Sequence, residues 1–193
     1  MVDHLNCFRN ETVAVACVYC NHKEREKQTV LRLIASILRQ LVDHRSAASD
    51  NLMKFYREFH DHRKTSPKLR DVMEALRVEI GTYSQVYIIA DALDECLEEN
   101  QGELIETLRS LSDVKLMFTS RPLVVIEQQL EGVERLHISA KNADVRKYIE
   151  GRISKTPVLT RHVRANQTLR EDIINEIVSK AEGMFVFLMI ICT

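Results

Sequence analysis

Two short stretches carry side chains that could do chemistry together. Asp91, Asp94 and Glu95 fall within five positions in VYIIADALDE, directly after an apolar run, and Arg121 ends a second apolar run in VKLMFTSR. An apolar run closed by an aspartate suits Mg²⁺, which takes one or two carboxylates plus phosphate oxygens and water. A second carboxylate just beyond can orient or deprotonate an attacking water. An arginine across the same cleft can sense or stabilise a terminal phosphate. These types and spacings point to a magnesium-nucleotide site, with Asp91 on the metal, Asp94 and Glu95 on the water and Arg121 on the phosphate. A solvated turn in which Asp94 or Asn100 caps the next helix reads the same residues equally well.

The elements that must place these groups follow from periodicity. Continuous apolar runs at Val13–Tyr19, Gln85–Ala90 and Val114–Thr119 predict buried strands, and Glu134–Ile138 predicts a shorter one. Between them, helical spacing appears at Val30, Leu31, Ile34, Ile37, Leu38 and Leu41, and again over about Ser49 to Asp61. Leu69, Val72, Met73, Leu76 and Ile80 form a third helix, stopped near Gly81. Further helices are expected at Leu104–Leu111, Val124–Leu130, Ala143–Ile153 and Leu169–Ala181, and from Met184 onward. Strands separated by helices imply right-handed crossovers and a mostly parallel sheet, hence an α/β fold. Ligands in such sheets sit beyond the carboxyl ends of the strands, where both Asp91 and Arg121 fall.

Composition excludes several classes. Net charge is −1, so no global basic field points to nucleic acid or an anionic membrane. The apolar run MFVFLMIIC is too short to span a bilayer as a helix, and reads as a buried helix. The 193 residues include 5 Gly, 3 Pro and no Trp, the signature of a helix-rich chain. Five cysteines without framework spacing point to a reducing, cytoplasmic setting. Cys17 and Cys20, three apart on one strand, would face opposite ways and cannot chelate zinc together. They read as buried core thiols.

VYIIADALDEC resembles the Walker B segment of NACHT-type signal-transducing NTPases, P-loop proteins of the STAND class. It is most similar to the fungal set that includes nephrocystin-like N-terminal modules. KLMFTSRP resembles their sensor strand, VACVYCNHKEREKQTVLRLIASILRQL the strand and helix after their P-loop helix, and LHISAKNADVRKYIEGRI and KAEGMFVFLMI the entry to their helical subdomain. The resemblance implies a three-layer P-loop sandwich over residues 1–140 and the beginning of a helical subdomain over 141–193. It also implies Mg²⁺ with ATP or GTP as cofactors in the intact protein, and protein partners or self-oligomers. Relatives continue into a winged-helix region and ankyrin, WD or tetratricopeptide repeats. Asp91 would serve the metal, Asp94 and Glu95 the water, and Arg121 the nucleotide.

One family element is missing from the sequence. The string G-x-x-x-x-G-K-[ST], whose backbone N–H groups cradle phosphates, does not occur, and the first glycine is Gly81. The chain is therefore expected to be a fragment lacking the Walker A loop, with impaired nucleotide binding and possibly no cofactor of its own. It would be enzymatically inactive alone, or a non-catalytic α/β interaction module. The family's P-loop strand lies between the sensor strand and the last strand. Its absence predicts an incomplete sheet with Val13–Tyr19, Gln85–Ala90 and Val114–Thr119 as parallel neighbours, a gap or poor pairing before Glu134–Ile138, and an open edge for a partner.

Overall fold

A computed structural model describes Cys7, residues 10–43, Met53, Arg57, and residues 66–139, 141–181 and 185–192. The helix expected over Ser49–Asp61 lies almost wholly outside the described residues. The chain divides into two compact units, one of Met1–Leu136 with Phe187–Thr193 and one of His137–Val186.

The larger unit is α/β. Strand β1 (Val13–Tyr19) leads through a 3₁₀ turn at His22–Glu24 into helix α1 (Val30–Asp43). Helix α2 (Leu69–Ile80), strand β2 (Gln85–Asp91) and helix α3 (Glu98–Arg109) follow. Then come strand β3 (Val114–Ser120), helix α4 (Val124–Gln129) and strand β4 (Glu134–Ser139). Strands β1, β2 and β3 are adjacent and parallel, with Tyr19 opposite Asp91 and Ala90 opposite Phe118. This is the neighbour relation that the family resemblance implies.

Strand alternation explains the core. Ala14, Ala16 and Val18, Val86, Ile88 and Ala90, and Leu116 and Phe118 belong to one buried cluster with the apolar stripes of α1, α2 and α3. Val15, Ile89 and Met117, offset by one residue, form a smaller cluster with Cys17 and Tyr87. Small residues on β1 let α1 approach the sheet closely.

The free edge of β1 is capped by glutamine. The Gln40 side chain on α1 accepts from the Cys17 backbone N–H at 2.8 Å and donates to the Cys17 carbonyl at 2.8 Å. Gln28 repeats the device two residues on, donating to the Tyr19 carbonyl at 2.9 Å and accepting from the Asn21 N–H at 2.8 Å. Two side-chain amides thus stand where another strand's peptides would, blunting an edge that otherwise invites pairing.

Two expectations are corrected at the chain's end. The run from Met184 was expected to be helical, but Phe185–Cys192 is strand β5. It pairs antiparallel with β3, Lys115 opposite Cys192 and Ser120 opposite Phe187, and the sheet order is β1-β2-β3-β5-β4. The expected gap beside β3 is therefore filled, and that edge is not open to a partner. A short continuous apolar run carries no period that distinguishes strand from buried helix. The unpaired backbone groups of β3 decide the matter, because buried N–H and C=O groups need partners.

The smaller unit is helical between its terminal strand segments. Helices α5 (Asn142–Lys155), α6 (Pro157–Ala165) and α7 (Gln167–Ala181) bury Ile149, Ile153, Val163 and Ile174 together. Pro157 sits in the first turn of α6, where its missing N–H costs nothing. Arg146 bridges to Glu171 and Asn175, each at 2.9 Å. Among the described residues, no helix is long and apolar enough to cross a membrane.

Candidate functional site

The carboxylates stand where β2 and β3 end side by side. Asp91 closes β2, and its Oδ1 accepts from the Thr119 hydroxyl of neighbouring β3 at 2.5 Å. The same Thr119 oxygen accepts from the Ala92 N–H at 2.9 Å, so one buried hydroxyl holds both the carboxylate and the residue after it. Ala92 is left-handed (φ 57°, ψ 50°), a conformation costly for a residue with a Cβ. The small side chain and the Thr119 hydrogen bond hold it there. This kink turns the chain from β2 into a 3₁₀ turn at Leu93–Glu95, anchored by fully buried Leu93.

Asp94 and Arg121, 27 residues apart, meet directly. Arg121 Nε donates to Asp94 Oδ2 at 2.6 Å, and the Arg121 backbone N–H donates to Asp94 Oδ1 at 3.1 Å. The Asp94 side chain is 5% exposed and that of Arg121 72%. The hydrogen bond and charge of Asp94 hold the Arg121 guanidinium above its ordinary pKa. Glu95 Oε2 accepts from the His22 backbone N–H at 3.1 Å. Cys96 is disulfide-bonded to Cys20, with Cα atoms 5.4 Å apart.

The four residues singled out from the sequence therefore lie together at one end of the sheet, but engaged with the protein. Asp94 binds Arg121, Glu95 binds the His22 backbone, and Asp91 shares one oxygen with Thr119. Helix α3 is not capped by Asp94 or Asn100: its N-cap is Leu97, without a side-chain cap. Sequence reasoning missed Thr119 as the organising hydroxyl, although it stands at a strand end beside Asp91's strand. It also missed the Cys20–Cys96 pairing, having read Cys17 and Cys20 as buried core thiols. Cys20 is buried as expected, but it lies just past β1 and its sulfur is bonded, not a free core thiol.

The side chains as held here do not by themselves fit a magnesium nucleotide. Among the described residues no three His, Cys, Asp or Glu side chains converge to hold a metal. All three carboxylates accept from protein donors, Asp94 through both oxygens, and no phosphate-cradling glycine string occurs in the 193 residues. What the arrangement does offer is two carboxylates, Asp91 and Glu95, each with one oxygen uncommitted among the described residues, at the same end of the sheet as an exposed guanidinium.

A protein-family model described as "Nephrocystin 3, N-terminal" matches residues 1–121. Searches of curated proteins and of solved structures returned no match. The family match runs from the first residue through β1, β2 and β3 to Arg121, well over half of the chain. The chain belongs to the nephrocystin 3 N-terminal family.

Proposed function

We propose that this chain supplies the carboxylate and sensor wall of a cytoplasmic NACHT-type nucleotide switch, a STAND-class NTPase of the kind found in fungi. In the intact protein, nucleotide state would govern self-association and signalling to protein partners. The observation that carries the reading is the placement of Asp91 and Arg121 at the adjoining carboxyl ends of two parallel strands, where α/β sheets bind ligands. Asp91 is assigned to the magnesium side, Asp94 and Glu95 to water orientation, and Arg121 to the terminal phosphate. In that role Arg121 leaves Asp94 for the phosphate, which frees the carboxylate. Phosphates would be cradled by a G-x-x-x-x-G-K-[ST] loop that these 193 residues do not contain.

By itself the chain is expected to bind ATP or GTP no better than millimolar, because phosphate cradling supplies most of the contact. Titration with a fluorescent ATP analogue in Mg²⁺ measures this. Micromolar affinity lost in Asp91→Asn would show that the phosphate loop is dispensable and overturn the assignment of parts.

A second reading is a non-catalytic α/β interaction module. The engagement of Asp94 and Glu95 with protein donors favours it. Reading the transcript upstream of Met1 separates the two: an in-frame G-x-x-x-x-G-K-[ST] supports the switch, and its absence supports the module.

A further inference from the structure

The carboxylate loop is tied to the exit of β1 by a covalent bond that the nucleotide reading does not use. Cys20 directly follows β1, and its N–H donates to the Asp91 carbonyl at 2.9 Å, continuing the β1–β2 ladder past the strand end. Cys96 closes the 3₁₀ turn, its N–H donating to the Leu93 carbonyl at 3.1 Å. The two cysteines are 76 residues apart in sequence, and are 4% and 5% exposed. Between them the chain carries Asp91, Asp94 and Glu95, and these three residues stand within five positions of Cys96.

The other ties on this loop are of a different kind. The Arg121–Asp94 bond is reached by water from the exposed guanidinium side only, and the His22–Glu95 bond is exposed, so both are non-covalent ties for which water competes. The sulfur–sulfur bond is buried and does not exchange with water. In a reducing compartment a bond of this sort is transient and redox-sensing rather than a permanent staple.

We propose that Cys20 and Cys96 form a redox-addressable clasp: when closed it holds residues 92–96 in the conformation described here, and when reduced it frees that loop to move. Closure requires a low-molecular-weight disulfide as oxidant. One cysteine thiolate attacks a sulfur of that disulfide, displacing one thiolate and forming a mixed disulfide. The second cysteine thiolate then attacks the protein-bound sulfur and displaces the other. Two protein thiols lose two protons and two electrons, and the small disulfide becomes two thiols. The burial of both sulfurs makes each step wait for a local opening of the turn.

The test uses the chain as it stands, in glutathione mixtures from fully reduced to fully oxidised, quenched with an alkylating reagent and mapped by mass spectrometry. A Cys20–Cys96-linked peptide pair is expected on the oxidised side. Alkylation of both residues at every ratio, or linkage of either to Cys7, Cys17 or Cys192, overturns the proposal. Hydrogen exchange then reads the loop. The amides of Ala92, Glu95 and Cys96, all hydrogen-bonded here, should exchange about tenfold faster after reduction, while those of Leu116 and Phe118 in β3 stay protected. Unchanged loop exchange overturns the clasp, and so does an equal rise in β3, which would mean global loosening. Cys20→Ala/Cys96→Ala should match the reduced chain at every ratio. If that variant does not fold, the reversible change in the unmodified chain decides. Neither readout involves nucleotide, so this proposal stands or falls apart from the switch reading.

Discussion

Asp94 receives two hydrogen bonds from a single residue, Arg121: one from the backbone N–H at 3.1 Å and one from Nε at 2.6 Å. A carboxylate in the turn after β2 thus fixes the first residue after β3. The backbone bond orients the chain as it leaves β3, while the guanidinium stays exposed.

The two halves of that contact should separate by mutation. Asp94→Ala removes the acceptor for both bonds and should lower unfolding stability by roughly 1–2 kcal/mol. Arg121→Ala keeps the backbone bond to Asp94 and should cost clearly less. Urea unfolding of both variants checks this, and equal losses would mean that the backbone bond contributes nothing.

Thr119 should matter more than its size suggests. Thr119→Val keeps the shape but leaves the left-handed Ala92 without its N–H acceptor and Asp91 without its donor. A loss of about 1–3 kcal/mol follows from leaving a buried group unsatisfied. Thr119→Ser should recover most of it, and a serine variant as weak as valine would point to packing instead.

Gln40 guards the open side of β1. Gln40→Met preserves helix propensity and bulk but removes both bonds to Cys17. Stability should fall by about 1–2 kcal/mol, and the bared edge should raise self-association at high concentration. Light scattering beside a denaturation curve tests both, and a monomeric variant at every concentration would argue against an edge-capping role.

Cys17 gives a pH dependence with a definite sign. Burial is the leading cause of its raised pKa, with Asp91 adding to it and a hydrogen bond from Tyr19 opposing it. Well below the ordinary thiol range both folded and unfolded chains keep the proton, and the group has no effect. As pH rises through that range the unfolded chain ionises first, so stability falls with pH. Cys17→Ala should flatten this part of the stability profile between about pH 8 and 10. An unchanged slope would place the thiol in contact with water.

Much of this arrangement is legible residue by residue. The apolar runs ending at Tyr19, Ala90 and Thr119 announce β1, β2 and β3, and the spacing of Ile34, Ile37, Leu38 and Leu41 announces α1. These signals are local: a buried strand must be apolar along its length, and a one-sided helix must repeat every three to four residues. The site is partly legible for the same reason, since a charged side chain at the carboxyl end of a buried parallel strand falls where such sheets take their ligands. What Asp94 would bind was not legible, because Arg121 competes with water, helix ends and ligands for the same carboxylate.

The amino-acid order by itself therefore determined the α/β class, the three parallel neighbours and the cluster of Asp91, Asp94, Glu95 and Arg121 at one end of the sheet. Tertiary structure alone decided that Phe185–Cys192 is a strand, that Cys20 is bonded to Cys96, and that Thr119 holds Asp91 and Ala92 together. Each of these depends on a partner supplied from elsewhere in the chain. The β3 edge needs backbone hydrogen bonds, a sulfur needs another sulfur at bonding distance, and a left-handed alanine needs an acceptor. None of those partners leaves a mark in the local pattern of residues.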